Sequence, residues 1–214
     1  MTEVTESRST SEETETTPTV YKAVSFAAYR LGSGLLGNNP RSLSHSRATL
    51  ARLRRAAGEQ PGENPMSWAT IADEVLMNLP ESAVGKGPEL STSEWAAAVS
   101  ISMFALHQQS ERKLMHEPGI DLGRAVGTLA QRAESGSIKG RLDALMVARD
   151  PKSLQYHLRA LVSLLNAHHI PQDYGRLAED LIRLRLPKRR QAVLVQWGRS
   201  YARALRPQKQ DHAN

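Results

Sequence analysis

Beyond residue 19, apolar positions recur at three- and four-residue intervals along almost the whole chain, a spacing that predicts one amphipathic helix after another. A first helix is predicted from Val20 to about Leu31, with Val24, Ala27, Ala28 and Leu31 on one face, ending in a breaker-rich loop over Gly32 to Pro40. The segment SLSHSRATLARLRRAAG forms a second helix with Leu50, Leu53 and Ala57 as its buried edge. A third, from Trp68 to Leu79, turns Trp68, Ile71, Ala72, Val75 and Leu79 inward. After a loop over Pro80 to Pro88, Ser91 and Glu94 form a capping box for a helix with an apolar stripe of Trp95, Val99, Met103 and Leu106.

A further loop, Lys113 to Gly119, leads into a long helical region. There Leu142, Leu145 and Met146 share one face, and Leu154, Leu158, Leu161 and Leu165 share the next. Pro151 stands at a first helical position. The loop NAHHIPQDYG separates this region from a helix carrying Tyr174, Leu177, Leu181 and Leu184. A last helix, opened by Pro187, carries Leu194, Trp197, Tyr201 and Leu205. No Asn-Gly or Asp-Gly divides alternating runs, so no hairpin is predicted. The fold class is all-α: a bundle of eight or nine helices forming a single domain over 20–206, with two lobes, 20–116 and 117–206, meeting near 113–120. A tail at 1–19 is expected to be disordered, since it holds almost no apolar residues, and 207–214 to be flexible.

Composition narrows the function. There is no cysteine, which excludes disulfides and thiolate zinc sites. No run of 18 apolar residues is present and the amino-terminal stretch is acidic, so the expected location is the cytoplasm, with no membrane partner. Residues 1–19 carry five acids and one base, net −4, which leaves +10 on the remainder of a chain whose formal charge is +6. So basic a folded portion points to nucleic acid or another polyanion, with a merely solvated basic surface as the alternative.

Catalytic patterns are wanting. Gly32, Gly34 and Gly37 spell G-x-G-x-x-G, but the dinucleotide fingerprint follows a strand and opens a helix, whereas here a helix precedes it. Gly85-Lys86-Gly87 lacks the upstream glycine and the Ser/Thr of a phosphate loop. His107 and Glu111 lie one turn apart without a second histidine, and His168 and His169 point different ways on a helix. Asp173 and Asp180, seven apart, read as a helix cap and a solvated acid rather than a dyad. No enzyme, metal, cofactor or small-molecule substrate is expected.

The basic residues are more telling. Arg41, Arg47, Arg52, Arg54 and Arg55 stand together with no acid from 41 to 55, and Arg47 and Arg54 share a helix face. Arg124, Arg132, Lys139, Arg141, Arg149, Lys152 and Arg159 stand off the apolar faces farther along. Ten more bases lie between Arg176 and Lys209. Arginine suits bidentate phosphate contacts.

Several short motifs, in order, resemble the CasB family, the small subunits of the type I-E CRISPR surveillance complex (Cascade). They are Arg47 to Ala56 (RATLARLRRA), Gly119 to Ala125 (GIDLGRA), Ser137 to Asp150 (SIKGRLDALMVARD), and Leu158 to Val162. Asp173-Tyr174 with Leu177 and Asp180-Leu181 follow, and then Trp197. The resemblance spans residues 20–206. It implies a helical, non-catalytic subunit, present as a head-to-tail pair against the backbone and large subunits, together with crRNA and target DNA. Its basic face would line the target and displaced strands and stabilise the R-loop, an exchange so nearly balanced that a few backbone contacts can tip it. Aromatics make up 5% of the chain, and their expected scarcity on the surface argues for phosphate clamping rather than base stacking. The candidate contacts are Arg47, Arg54, Arg55, Arg132, Lys139, Arg141 and Arg149. The alternatives are a stand-alone helical DNA-binding transcription regulator, an enzyme, or a spacer whose arginines serve only subunit contacts.

Overall fold

The computed structural model describes residues 19–133 and 136–206. The acidic tail lies outside them apart from Thr19, as does the 207–214 terminus. Nine α-helices are found among the described residues, with no strand: α1 Val20–Leu36, α2 Pro40–Ala56, α3 Pro65–Glu74, α4 Thr92–His107, α5 Leu122–Ala133, α6 Ser137–Val147, α7 Pro151–Ala167, α8 Tyr174–Leu184 and α9 Pro187–Ala204. The all-α expectation holds.

Helix starts follow a local rule. Asn39-Pro40, Asn64-Pro65 and Asp150-Pro151 each place a side-chain acceptor at the N-cap and proline at the next position. Proline there loses no hydrogen bond, because that N–H would have no helical partner. The capping box of α4 forms as expected, Glu94 N donating to Ser91 Oγ at 3.0 Å and Ser91 N to Glu94 Oε2 at 2.7 Å.

Two boundaries differ from the sequence reading. α1 runs on to Leu36, through Gly32 and Gly34. A Cβ at Gly32 would stand 2.2 Å from Leu114 Cδ1, and one at Gly34 would stand 2.4 Å from Ser46 Oγ. These glycines are close-packing positions rather than breakers, and the gain from packing offsets glycine's helix penalty of about 1 kcal/mol. α3 ends at Glu74, because Val75 leaves helical geometry (φ −130, ψ −50) and a short 3-10 turn, Leu76–Asn78, follows.

α4 is the central element. It is buried on nearly every side and packs against α1, α2, α7 and α8. α1 in turn packs on α8. Where the chain passes between α4 and α5 it meets the segment before α8: Gln172 N donates to Met115 O (3.2 Å), and Glu117 N to Gln172 O (3.0 Å). Asp173 ties three regions together. Its Oδ1 caps α8 through Arg176 N (2.9 Å), while Oδ2 accepts from Gly119 N (2.9 Å) and from the Tyr21 hydroxyl (3.1 Å). The cap expected at Asp173 is present.

Asp180 is not solvated, contrary to the sequence reading. It is 1% exposed and accepts from Trp197 Nε1 at 2.9 Å, with Arg176 Nε at 3.1 Å and Arg183 Nη1 at 3.4 Å. Burial raises its pKa, and Arg176, the Trp197 N–H and Arg183 work against that rise. The acid fastens α9 to α8.

Histidines occupy the interior beside Tyr174. His107 Nδ1 lies 2.7 Å from the Tyr174 hydroxyl, and His116 Nδ1 accepts from Tyr174 N at 3.2 Å. Burial pushes the His107 pKa down to about 3 and lowers that of His116. The folded chain therefore refuses protons that the unfolded chain accepts below pH ~6.5, and stability should rise with pH across that window. The unfolding free energy obtained from urea titrations between pH 7.5 and 5 should fall below pH ~6.5 by about 1.4 kcal/mol per pH unit on account of His107, with His116 acting in the same direction. A midpoint that stays flat over this range would contradict the neutral, buried state of both rings.

Candidate nucleic-acid interface

α5 and α9 approach each other closely at two glycines of α5 that stand one turn apart. A Cβ at Gly123 would come 2.2 Å from Trp197 O, and one at Gly127 would come 2.7 Å from Tyr201 O. Glycines four apart clear one stripe of α5, and Trp197 and Tyr201, also four apart, lay the backbone of α9 into it. The residues flanking this seam become the walls of a groove of about 810 Å³. Arg124, Thr128, Gln131 and Arg132 line it from α5; Gln196, Ser200 and Arg203 line it from α9, with Arg206 just beyond. Gln196, Ser200 and Arg203 also border a neighbouring hollow of about 660 Å³ that holds Lys188 and Arg199. Together they form one continuous basic face.

Asp121 is the carboxylate among the described residues lining this face, and it is already engaged. Its Oδ1 accepts from Arg124 N at 2.8 Å, opening α5, and its Oδ2 accepts from Ser200 Oγ (2.7 Å) and Gln196 Nε2 (3.1 Å). Arg132, at the C-terminal end of α5, donates one long bond to His168 O (3.4 Å). Arg124, Arg199, Arg203 and Arg206 are exposed without an ion-pair partner among the described residues.

The dense C-terminal run of bases thus divides into two groups. Arg176 and Arg183 serve Asp180 and Glu179, and Arg185 lies over the Trp95 ring at 5.1 Å. Arg190 donates to Met146 O and Ala148 O (2.7 Å each) and to Leu184 O (3.3 Å), closing the ends of α6 and α8. Burial, then the nearby Arg149 charge, lowers its pKa. Lys188, Arg199, Arg203 and Arg206 remain facing outward.

The seven candidates from the sequence fall in three places. Arg47 and Arg54 line a common hollow of about 300 Å³ with Gln108, Gln109 and Ser110, in keeping with their shared face. Arg54 is half-buried and donates to Leu50 O (3.3 Å), while Arg47 and Arg55 are exposed. Arg132 joins the α5–α9 groove. Lys139, Arg141 and Arg149 stand on or just after α6, exposed. Lys139 is paired with Asp143 (2.6 Å), which raises its pKa; Arg141 has no such partner among the described residues. Sequence reasoning did not single out Arg124, Lys188, Arg199, Arg203 and Arg206 as contacts. The readable signal was the Gly123/Gly127 pair, which marks where two helices meet closely enough to bring their flanking bases together.

The expected scarcity of surface aromatics also needs correcting: Phe26, Tyr29 and Tyr156 are 57%, 60% and 71% exposed.

Fold and surface define an all-α protein with a groove walled by cations. The profile of the CRISPR-associated protein Cse2 family matches residues 49–201, well over half of the chain. The chain belongs to the Cse2 family, whose members are also called CasB and form the small subunit of the type I-E Cascade. CasB from Thermobifida fusca is 33% identical; the match covers 85% of this chain and 97% of that one, with a TM-score of 0.67. CasB from Thermus thermophilus is 24% identical over 87% of this chain and 99% of its own, with a TM-score of 0.62. A chain of a CRISPR RNA-guided surveillance complex shares the fold at 22% identity and a TM-score of 0.63, over 87% of this chain and 95% of that chain. No curated protein matches.

Proposed function

We propose that this Cascade small subunit acts without chemistry, by holding nucleic-acid backbone on its basic faces and so stabilising the R-loop. The observation that carries the reading is the α5–α9 groove, where exposed arginines face outward and Asp121, the acid among the described lining residues, is hydrogen-bonded to its own walls. Cations held along a groove meet phosphates of any sequence, as strands chosen by an RNA guide require. Arg47, Arg54 and Arg55 on α2, and Lys139, Arg141 and Arg149 around α6, are the further contacts in this proposal, beside Arg132 in the groove. The partners are the backbone and large subunits, a second copy of the chain, crRNA and target DNA. That a solved surveillance complex contains a chain of this fold supports the assembly.

The test is the salt dependence of target-DNA affinity in the assembled complex. Arg124→Glu with Arg203→Glu should weaken binding and reduce the slope of log affinity against log salt by about 2, one for each phosphate that is no longer neutralised. Arg47→Glu with Arg54→Glu should do the same from the α2 hollow. Unchanged affinity and slope in both pairs, with assembly intact, would leave the arginines to subunit contacts and defeat the proposal.

A further inference from the structure

On the face of α7, Lys152, Tyr156 and Arg159 follow one another at positions i, i+4 and i+7, spanning about 10 Å. Tyr156 is 71% exposed, with the neighbouring His157 ring meeting it edge-on at 5.3 Å between centroids. It borders a hollow of about 260 Å³ between α7 and the loop after α2. That loop is fixed rather than loose. Gln155, itself buried, donates to Glu59 O at 2.8 Å and accepts from Gln60 Nε2 at 3.2 Å. Gly58 leaves room for the Arg159 guanidinium, which would lie 3.4 Å from any Cβ placed there. Lys152 and Arg159 have no ion-pair partner among the described residues. The nearby acid, Glu63, accepts from Gln60 N at 3.1 Å. The other exposed aromatics differ: Phe26 and Tyr29 stand beside Arg30, whose guanidinium is engaged by Glu74.

From this arrangement we infer that the Lys152–Tyr156–Arg159 hollow is a stacking site for an unpaired base of single-stranded nucleic acid. The ring would offer a π-face to the base while the two flanking cations take the phosphates on either side. This combination recurs where single strands are bound without regard to sequence, because every base has a face to stack and every nucleotide a phosphate. A duplex keeps its bases stacked on one another and cannot use the ring. The inference rests on the nucleic-acid reading above and sharpens it: this hollow selects the unpaired strand.

The experiment titrates the full chain with a single-stranded oligodeoxynucleotide containing 2-aminopurine and with a duplex of the same length, at low salt. Wild-type protein should quench the 2-aminopurine. Tyr156→Ala should lose the quenching and weaken single-strand binding about 5- to 100-fold while sparing the duplex, and Tyr156→Phe should behave as wild type. Single-strand affinity and quenching unchanged in Tyr156→Ala, alongside weaker binding in Arg124→Glu/Arg203→Glu, would sink the stacking site and leave the backbone-holding function standing. Unchanged single-strand binding in Tyr156→Ala combined with failure to join the assembled complex would make the hollow a protein contact, again overturning the inference. No binding of either oligonucleotide by wild-type protein would count against the broader function as well.

Discussion

Gly123→Ala is expected to cost about 3 kcal/mol and to weaken nucleic-acid binding at the same time. The added methyl would meet Trp197 O, Cα and C at 2.2, 2.7 and 2.8 Å, all main-chain atoms that cannot turn aside. α9 must then retreat as a unit, and overpacking of this kind costs about 1–3 kcal/mol, more where backbone has to move. The helices part along the line whose flanks are Arg124, Arg203 and Arg206, so the groove should widen and its charges separate. Gly198→Ala is the matching control. No atom lies within 4 Å of a Cβ there, so the same change on α9 should stabilise by up to about 1 kcal/mol through helix propensity. Urea midpoints of the two variants should move in opposite directions; a shared direction would mean that the α5–α9 seam is looser than described.

Asp180→Ala should destabilise by about 2–3 kcal/mol, and Asp180→Asn by much less. The alanine leaves the Trp197 N–H buried without an acceptor, a penalty of about 1–3 kcal/mol. The arginines suffer less, since Glu179 still pairs with Arg183 at 3.2 Å and lies 3.8 Å from Arg176. Asparagine keeps an acceptor for the indole and sheds the cost of holding a buried charge, the same cost that raises the pKa of Asp180. Thermal denaturation of both variants distinguishes the roles. If Asn proves as damaging as Ala, the charge rather than the hydrogen bond fastens α9.

Most of the fold was legible because its helices bury leucine and alanine at regular spacing, and each predicted stripe from Trp95 to Leu184 has most of its members in the core. On the last helix Trp197 and Tyr201 are buried, Leu194 is partly so and Leu205 is exposed. Misreadings came where a residue's role depends on a distant neighbour. Gly32 and Gly34 looked like breakers because Leu114 and Ser46, which they admit, are remote in sequence. Asp180 looked solvated because its indole partner stands 17 positions on. The basic face had the same difficulty. Counting charges could not separate Arg190, turned onto three carbonyls, from Arg203, turned outward; that division depends on helix ends meeting in three dimensions. Arg47 and Arg54 were paired successfully because a single helix suffices to relate them.

The bond from the Tyr21 hydroxyl to Asp173 closes a loop of 152 residues. During synthesis at about 5–20 residues per second, α1 leaves the ribosome on the order of 10–30 s before the helix it must meet exists. Its partners α2 and α4 arrive sooner, so a partial core can gather around them first, but the surface that receives α8 stays open to water for that interval. Maturation of the chain is therefore gated by its C-terminal third, and a product truncated before residue 174 would present this unmet face to any chaperone or protease nearby.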